Sequence, residues 1–543
     1  MRICALGLAT PARTSHVFLQ KGDMATKGTK QTLVEGANSA RPVAKAMPLP
    51  RTQGRSAAGS KATTFETPAR PSWALQDEFL ADGDSRTKAK HDVDEIVYGH
   101  SFRKLAQKTQ VVTQPRDETF RTRNSHTLEV AQIADNFCDL LHLNEDATRA
   151  IAFGHDLGHP PFAHIGEMTL QRILKDYVKK TLRNIVGKRD GEEEILKAFE
   201  FTHSANSRRI LLRKTNGVTD TTLLSVVGHS WSPWSSANTC GSLPEVGALL
   251  TKPLEGTTRT FLPCYEAQAV ALSDQIAGLN SDIEDLINIH KGDAAPLRTT
   301  AHDLLDILTI SKGEKEEVSG FLNQWVVAEH GSEAQSARRG WGRKQRFQAI
   351  ISSIYDRSLK AVESCNSSTE AYKAPLKPAP AIAVALNVLE RATRRMVYTE
   401  PMIRVKDSLA EAAVSVMFHR LLTYAFLASS GEGWVDDARK ETESESDKHL
   451  LADYVKWKKD YYSEVKNEDE KRVIEGAFSW AGMKHAVSFR DDLWPRIQPA
   501  VETVDYISEM TDRFVIYTVF QGHPLQVALV KNFDAGPAYD KAD

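Results

Sequence analysis

Cysteine is scarce in this 543-residue chain and never paired in a binding pattern. There are five, at positions 4, 138, 240, 264 and 365, an odd number with no CxxC spacing. That excludes a sulfur-ligated zinc module and a disulfide framework, and it fits a reducing compartment with Cys138 and Cys264 as small core residues. Net charge is nearly absent, with 69 Lys+Arg against 71 Asp+Glu for a balance of −2, so global electrostatics favour neither nucleic acid nor membrane. No apolar run approaches the roughly eighteen residues that span a bilayer. The longest candidates, Phe514–Phe520 and Ala381–Leu389, are expected to be buried core. Acids are almost missing from the first 60 residues, where only Asp23 and Glu35 occur. Residues 1–75, rich in small, polar and basic residues, are therefore expected to be a disordered basic extension. Such a segment also resembles an organelle transit peptide, or an extension upstream of a start at Met24. Alternating strand patterns are few, and no glycine-rich phosphate loop follows a strand.

What is present from Gln76 onward is helical periodicity. In His126–Leu143, residues Val130, Ile133, Ala134, Phe137, Leu140 and Leu141 recur at three- and four-residue spacing, one apolar stripe. Asn144 is placed to cap a following helix over Ala147–His159, which Pro160-Pro161 stops. The same periodicity runs through Ala269–Leu286, Ser408–Leu427 and Val501–Val519. Gly228–Pro253 and the densely charged Glu441–Arg472 are expected to be loops, insertions or solvated helical faces.

Chemistry concentrates around a Gly-His-Pro-Pro break. His155, Asp156, His159, His164 and Glu167 fall within thirteen residues, and His126 lies upstream. On a helix His155 and His159 share one face, and His164 and Glu167 share another after the break. A single histidine is most often a capping or core residue. This many at coherent spacing points to a His/carboxylate site with open positions, suited to Mn, Fe, Co or Mg. Such a divalent metal polarises a phosphoryl oxygen and lowers the pKa of bound water, leaving nearby His and Glu to move protons. Hydrolysis of a phosphate ester or anhydride is the expected class.

Six ordered blocks carry a resemblance. They are FRKLAQKTQV (102–111), RTRNSHTLEVAQIA (121–134), GHDLGHPPFAHIGE (154–167), FTHSANSRRI (201–210), EAQAVALSDQIA (266–277) and VDYISEMTDRF (504–514). In these the chain resembles the deoxyguanosinetriphosphate triphosphohydrolase-like family of the HD superfamily. A second His-Asp pair, His91-Asp92, is discounted as a surface pair. The resemblance implies an all-α fold, an HD-domain helical core over 76–300 completed by a helical region 301–543 into one large body. It implies a metal held by His126, His155, Asp156 and Asp274. It implies hydrolysis of a deoxynucleoside triphosphate to nucleoside and tripolyphosphate, in the service of nucleotide pools. His164, assisted by Glu167, matches the pair serving attack at the α-phosphorus and the leaving 5′-oxygen. His159, His203 and Arg123 match phosphate contacts, and Gln110 with Asp282 matches a reader of the sugar 3′-hydroxyl. Independently of it, Asp274 and Asp282 stand eight apart and so face one side of a helix.

Two blocks depart from the family pattern. Thr202, Ser204 and Asn206 replace Glu, Asn and Gln around His203, and Gln275 and Gly278 replace an Asp and a Tyr after Asp274. The missing Tyr side chain at Gly278 predicts weaker discrimination against a ribose 2′-hydroxyl. The basic run Arg338–Arg346 with Trp341 is a candidate for single-stranded nucleic acid or an effector nucleotide, against a solvated helix start or subunit contact. The resemblance adds assembly as a homo-oligomer, a tetramer or hexamer, and a cytoplasmic protein that touches no membrane. The rival readings are another HD nucleotide phosphohydrolase or phosphodiesterase, and a nucleotide- or nucleic-acid-sensing protein with weak hydrolysis.

Overall fold

The computed structural model describes residues 70–72, 74–80, 86–110, 121–186, 196, 199–229, 264–290, 292–326, 341–367, 375–429, 435, 445–463 and 490–520. The chain divides after Thr67, and all of these residues lie in the unit Pro68–Asp543. The expected extension through residue 69, most of Gly228–Pro253 and the ends of Glu441–Arg472 fall outside the described residues.

The fold is all-α. Among the described residues no strand forms, and two isolated bridges, Phe79–Thr87 and Thr109–Thr122, are the only β contacts. The helices run in chain order α1 (Lys88–Val97), α2 (His100–Lys104), α3 (Arg123–Leu141), α4 (Glu145–Gly154), α5 (Ala163–Val186), α6 (His203–Lys214), α7 (Asp220–Gly228) and α8 (Tyr265–Ile289). They continue as α9 (Ala295–Asp306), α10 (Lys312–Trp325), α11 (Trp341–Glu363), α12 (Pro380–Thr399), α13 (Pro401–Ser429), α14 (Glu445–Ser463), α15 (Arg490–Ser508) and α16 (Asp512–Phe520).

The stripe read in the sequence becomes the inner face of α3, with Val130, Ile133, Ala134, Phe137 and Leu141 buried. Thr122 caps that helix, and Asn144 caps α4 by accepting from Ala147 N. Helix α8 is mostly apolar or small in its first half, with Glu266 and Gln268 buried among those residues. Every residue from Tyr265 to Ser273 is buried, so it runs through the core and packs along α3 and α4. A second cluster joins α5, α13, α14, α15 and α16 through Leu170, Leu174, Phe418, Leu421, Tyr454 and Val504. A third joins α1, α4, α6 and α7. In the charged stretch read as solvated, α14 buries Leu450, Leu451, Tyr454 and Tyr461.

Four readings are corrected by the structure. Helix α4 stops at Gly154 rather than His159, because Leu157 N bonds Gly154 O and His159 N bonds Asp156 O, a tighter turn that ends the α ladder. The stretch 501–519 is broken between α15 and α16, where Thr511 Oγ1 accepts from Phe514 N and starts a new helix. Asp92 is buried rather than superficial. It accepts from Thr219 N and from the hydroxyls of Thr219 and Thr222, so it holds the N-terminus of α7. Finally, Ile403–Ser429 is long and apolar enough to cross a membrane by length and composition alone. In this fold Ala410, Val414, Met417, Phe418 and Leu421 of that helix line the second core.

Candidate metal centre and nucleotide cavity

Three helices and one corner bring the cluster together. His126 comes from the second turn of α3, His155 and Asp156 from the turn after α4, and Asp274 from the middle of α8. His126 Nε2 lies 2.9 Å from Asp274 Oδ1 and 3.9 Å from Asp156 Oδ2. His155 Nε2 lies 3.5 Å from Asp156 Oδ1 and 3.6 Å from Asp274 Oδ1. His126, His155 and Asp156 each offer an atom within 4.8 Å of the others. Ligand bonds of about 2.0–2.2 Å require donor atoms up to about 4.4 Å apart, so this set can close on one divalent cation.

The ring of His155 donates Nδ1–H to Ala152 O at 2.6 Å, which turns Nε2 towards the two carboxylates. Against burial, Asp156 and Asp274 raise the His155 pKa to about 9, so a cation binding there would take the place of the Nε2 proton. Burial alone would raise both carboxylates. The Arg123 guanidinium and His155 hold Asp156 well below the usual carboxylate range, and His126 and His155 do the same for Asp274.

The corner after the metal turn is tightly built. Pro160 and Pro161 supply no N–H, and Phe162 and Ala163 follow in the left-handed region with φ of 66° and 53°. Two such residues cost roughly 1–3 kcal/mol each, which the surroundings must offset. Gly166 is required beneath them, since a Cβ there would stand 1.9 Å from Pro161 O. Gly158 meets α6 as closely, its place for a Cβ being 2.1 Å from His203 O. Of the departures noted around His203, Asn206 serves this contact by donating Nδ2–H to Gly158 O, and Thr202 caps α6. Nearby, Ser207 Oγ donates to His155 O.

Immediately after the corner, His164 Nδ1 stands 3.5 Å from Glu167 Oε2, with the His164 side chain 64% exposed. Glu167 Oε1 accepts from His203 N at 2.8 Å and pairs with His203 Nδ1 at 2.9 Å. Burial opposes the charged carboxylate, but His203 and His164 hold Glu167 well below its ordinary value, so it is ionised. His159 stacks on His203 with centroids 3.8 Å apart, and its Nε2 lies 3.2 Å from Asp156 Oδ1. Burial and the nearby Arg123 keep His159 neutral.

One cavity of about 440 Å³ collects these groups. Gln110, Arg123, Asp156, His159, His164, His203, Asp274 and Asp282 all line it. His126, His155 and Glu167 stand behind that lining. Every residue picked from the sequence is therefore at the cavity or in contact with a residue that is. Arg123 is buried and bonds Asp156, while its Nε and Nη2 have no hydrogen-bond partner, and buried Gln110 Oε1 is likewise unpartnered. Burial pushes the Asp282 carboxyl up to about 7, against the pull of Arg394 and His126.

Sequence reasoning missed three parts. His229, just after α7, points Nε2 at His203 Nε2 across 3.0 Å and lies 4.0 Å from Asp156 Oδ1. A histidine closing the apolar run Leu223–Val227 was the available signal. Glu390, Arg394 and Asp407 of α12 and α13 form the far wall, and no motif marked them. Lys108 and Asp512 brace the corner. Within the basic run, Arg346 is buried against Asn280 and the Trp325 carbonyl, Arg343 pairs with Glu284 at 3.3 Å, and Lys344 is exposed. Residues 338–340 lie outside the described residues.

Fold and site together define a class that the family comparison names. Residues 123–218 match the HD domain model, the segment that carries His126, His155 and Asp156. The chain is also similar to deoxyguanosinetriphosphate triphosphohydrolase-like proteins. It is 34% identical over 232 residues to one from Caldanaerobacter subterraneus, covering 43% of this chain and 54% of that protein. It is 34% identical over 198 residues to one from Neorickettsia sennetsu, covering 36% and 46%. Over 93 residues it is 53% identical to one from Syntrophus aciditrophicus, covering 17% and 23%. The chain thus spans about half the length, or less, of the curated relatives it matches.

Proposed function

We propose that the chain is a metal-dependent deoxynucleoside triphosphate triphosphohydrolase that releases deoxynucleoside and tripolyphosphate. The observation that carries the reading is Arg123. It is a buried guanidinium with one N–H on Asp156 and two groups without partners, lining the same cavity as a His/Asp cluster that fits a cation. Buried donors are nearly always satisfied, and a polyphosphate beside a cation is the ligand that would complete these. The printed names of the relatives point to the same substrate class.

In this reading His126, His155, Asp156 and Asp274 hold Mn, Mg, Fe or Co, which when bound supplies Lewis-acid polarisation of a phosphoryl oxygen. Arg123, neutral His159 and His203 contact the phosphate chain. His164 delivers a proton to the leaving 5′-oxygen, and ionised Glu167 orients its Nδ1. Gln110 Oε1 and Asp282 take the sugar 3′-hydroxyl. At Gly278 an added Cβ would meet nothing within 4 Å, so the wall beside the sugar is open there. A homo-oligomer, and an effector nucleotide or single-stranded DNA at Lys344 and its neighbours, are the finer parts of the proposal. Charge reversal at Lys344 should then remove any stimulation by DNA.

The test is incubation with each of the four dNTPs and manganese, separating products by chromatography. Nucleoside and tripolyphosphate in equal amounts support the reading. Orthophosphate, or a monophosphate, as the product assigns the chain to another HD nucleotide phosphohydrolase.

A further inference from the structure

Groups with no reactive part of their own are organised around the cavity as tightly as those that react. Along residues 505–512, three carboxylates each take hold of a different part of the site wall. Asp505 bonds Arg209, and Glu509 Oε1 accepts from Arg213 at 2.8 Å, both cations belonging to α6, the helix that begins at His203. Asp512 reaches elsewhere. Its Oδ1 accepts from Phe162 N at 2.9 Å, and its Oδ2 accepts from Thr109 N at 3.0 Å and from the Thr109 hydroxyl.

The Phe162 amide is the first N–H after two prolines, and Phe162 is 1% exposed, so without Asp512 this donor would be buried and unmade. It sits on the left-handed step that turns the chain into α5, one residue before Ala163 and two before His164. Thr109 precedes Gln110, which also lines the cavity. Lys108 Nζ closes the frame by donating to His159 O and, at 2.8 Å, to Ser508 O. A single carboxylate is therefore shared by two chain segments that both line the cavity.

We propose that Asp512 is a positioning residue, whose carboxylate fixes the left-handed Phe162–Ala163 step and the Thr109–Gln110 arm in one register and so sets where His164 and Gln110 stand. The activity arm of its test rests on the function proposed above; the geometry does not. Asp512→Asn keeps the volume but converts one acceptor oxygen into a donor, which then meets either Thr109 N–H or Phe162 N–H donor to donor. Asp512→Glu keeps the charge. Ala163→Gly removes the steric cost of a positive φ, so it should lessen the need for the clamp.

The experiment compares full-length, manganese-loaded wild type, D512N, D512E and D512N/A163G by amide exchange with mass spectrometry and by steady-state kinetics. Peptides covering 159–166 should exchange about tenfold faster in D512N, with those from α3 and α8 and the manganese content unchanged. On the best dNTP, kcat should fall about 100-fold, a displacement effect. D512E and the added Ala163→Gly should each recover about tenfold of that. Unchanged exchange at 159–166 with kcat within threefold of wild type overturns the proposal. So does a loss spread evenly over all peptides that Ala163→Gly does not relieve. If wild type turns over no dNTP, the proposed function fails and exchange at the corner alone decides for or against the clamp. If D512N does not fold, Thr109→Val removes one donor only and should raise corner exchange about threefold, with no change again overturning the assignment.

Discussion

The metal end of the cavity and the seam between α6 and α15 are both buried and polar, yet the seam pairs its acids, with Arg213 Nε and Nη2 left unpartnered, where the metal end leaves more of its polar atoms unmade. At the metal end His126 Nδ1, His155 Nε2, His159 Nδ1, two groups of Arg123 and Gln110 Oε1 have no hydrogen-bond partner among the described residues. Along the seam each acid has met a cation or a set of donors: Asp505 with Arg209 and Tyr461, Glu509 with Arg213 and Trp457 Nε1. Unmade hydrogen bonds in a packed interior are costly, so a fold keeps them where a ligand completes them. Paired charges at the seam instead fix the position of α6 and its His203. The comparison separates groups that wait for substrate from groups that hold the walls.

The largest expected effect breaks the comparison from the metal side. Asp156→Asn should reduce bound manganese below half an equivalent and lower hydrolysis about 1000-fold, since a metal contributes several kcal/mol to the transition state. Metal analysis beside the rate checks both. Next, His164→Ala should cost about 100- to 10,000-fold in kcat with manganese content and KM little changed, if His164 is the proton donor of the proposed function. A parallel loss of metal would place His164 with the ligands instead.

The seam should answer in a different currency. Asp505→Asn leaves Arg209 buried without its full partner and should lower unfolding stability by about 3–5 kcal/mol, read by urea titration, while manganese binding per folded molecule is unchanged. The same seam predicts a pH dependence. Burial disfavours the Glu509 carboxylate, but Arg213 and Lys214 beside it bring its pKa from 4.5 down to about 2. A depressed acid stabilises the fold above its unfolded value, and that contribution, about 3 kcal/mol, is lost as pH falls from about 4.5 towards 2. Glu509→Gln should flatten this acid limb in thermal melts. The smallest effect concerns the sugar. With the open wall at Gly278, dGTP should be preferred over GTP by less than about 100-fold, and Gly278→Tyr should widen the gap about tenfold.

Much of this was legible in the sequence, for identifiable reasons. His155, Asp156, His159, His164 and Glu167 are contiguous, so local spacing alone marked them, and the stripe from Val130 to Leu141 marked its helix by periodicity. Gln110, Arg123, His203, Asp274 and Asp282 needed the ordered family blocks, because they meet the cluster only through tertiary packing. His229 closed an apolar run, and Lys108 and Asp512 lay inside two of the family blocks, but no local pattern gave any of the three its place at the corner. Asp512 reaches the corner across 350 residues of chain, and no pattern within one helix reports that. The end of α4 at Gly154 was missed because proline at 160 looked like the stop, when the tight turn around the metal ends the helix sooner. Asp92 was misjudged for the same reason: its partners, Thr219 and Thr222, are distant in sequence.

The proposed function requires that water attacks the α-phosphorus and that the nucleoside leaves with its 5′-oxygen. Hydrolysis of the preferred dNTP in ¹⁸O-labelled water, with mass analysis of both products, tests it most directly. The label is predicted in tripolyphosphate, with the nucleoside 5′-hydroxyl unlabelled. Label in the nucleoside, or in orthophosphate released from the γ position, would contradict the account.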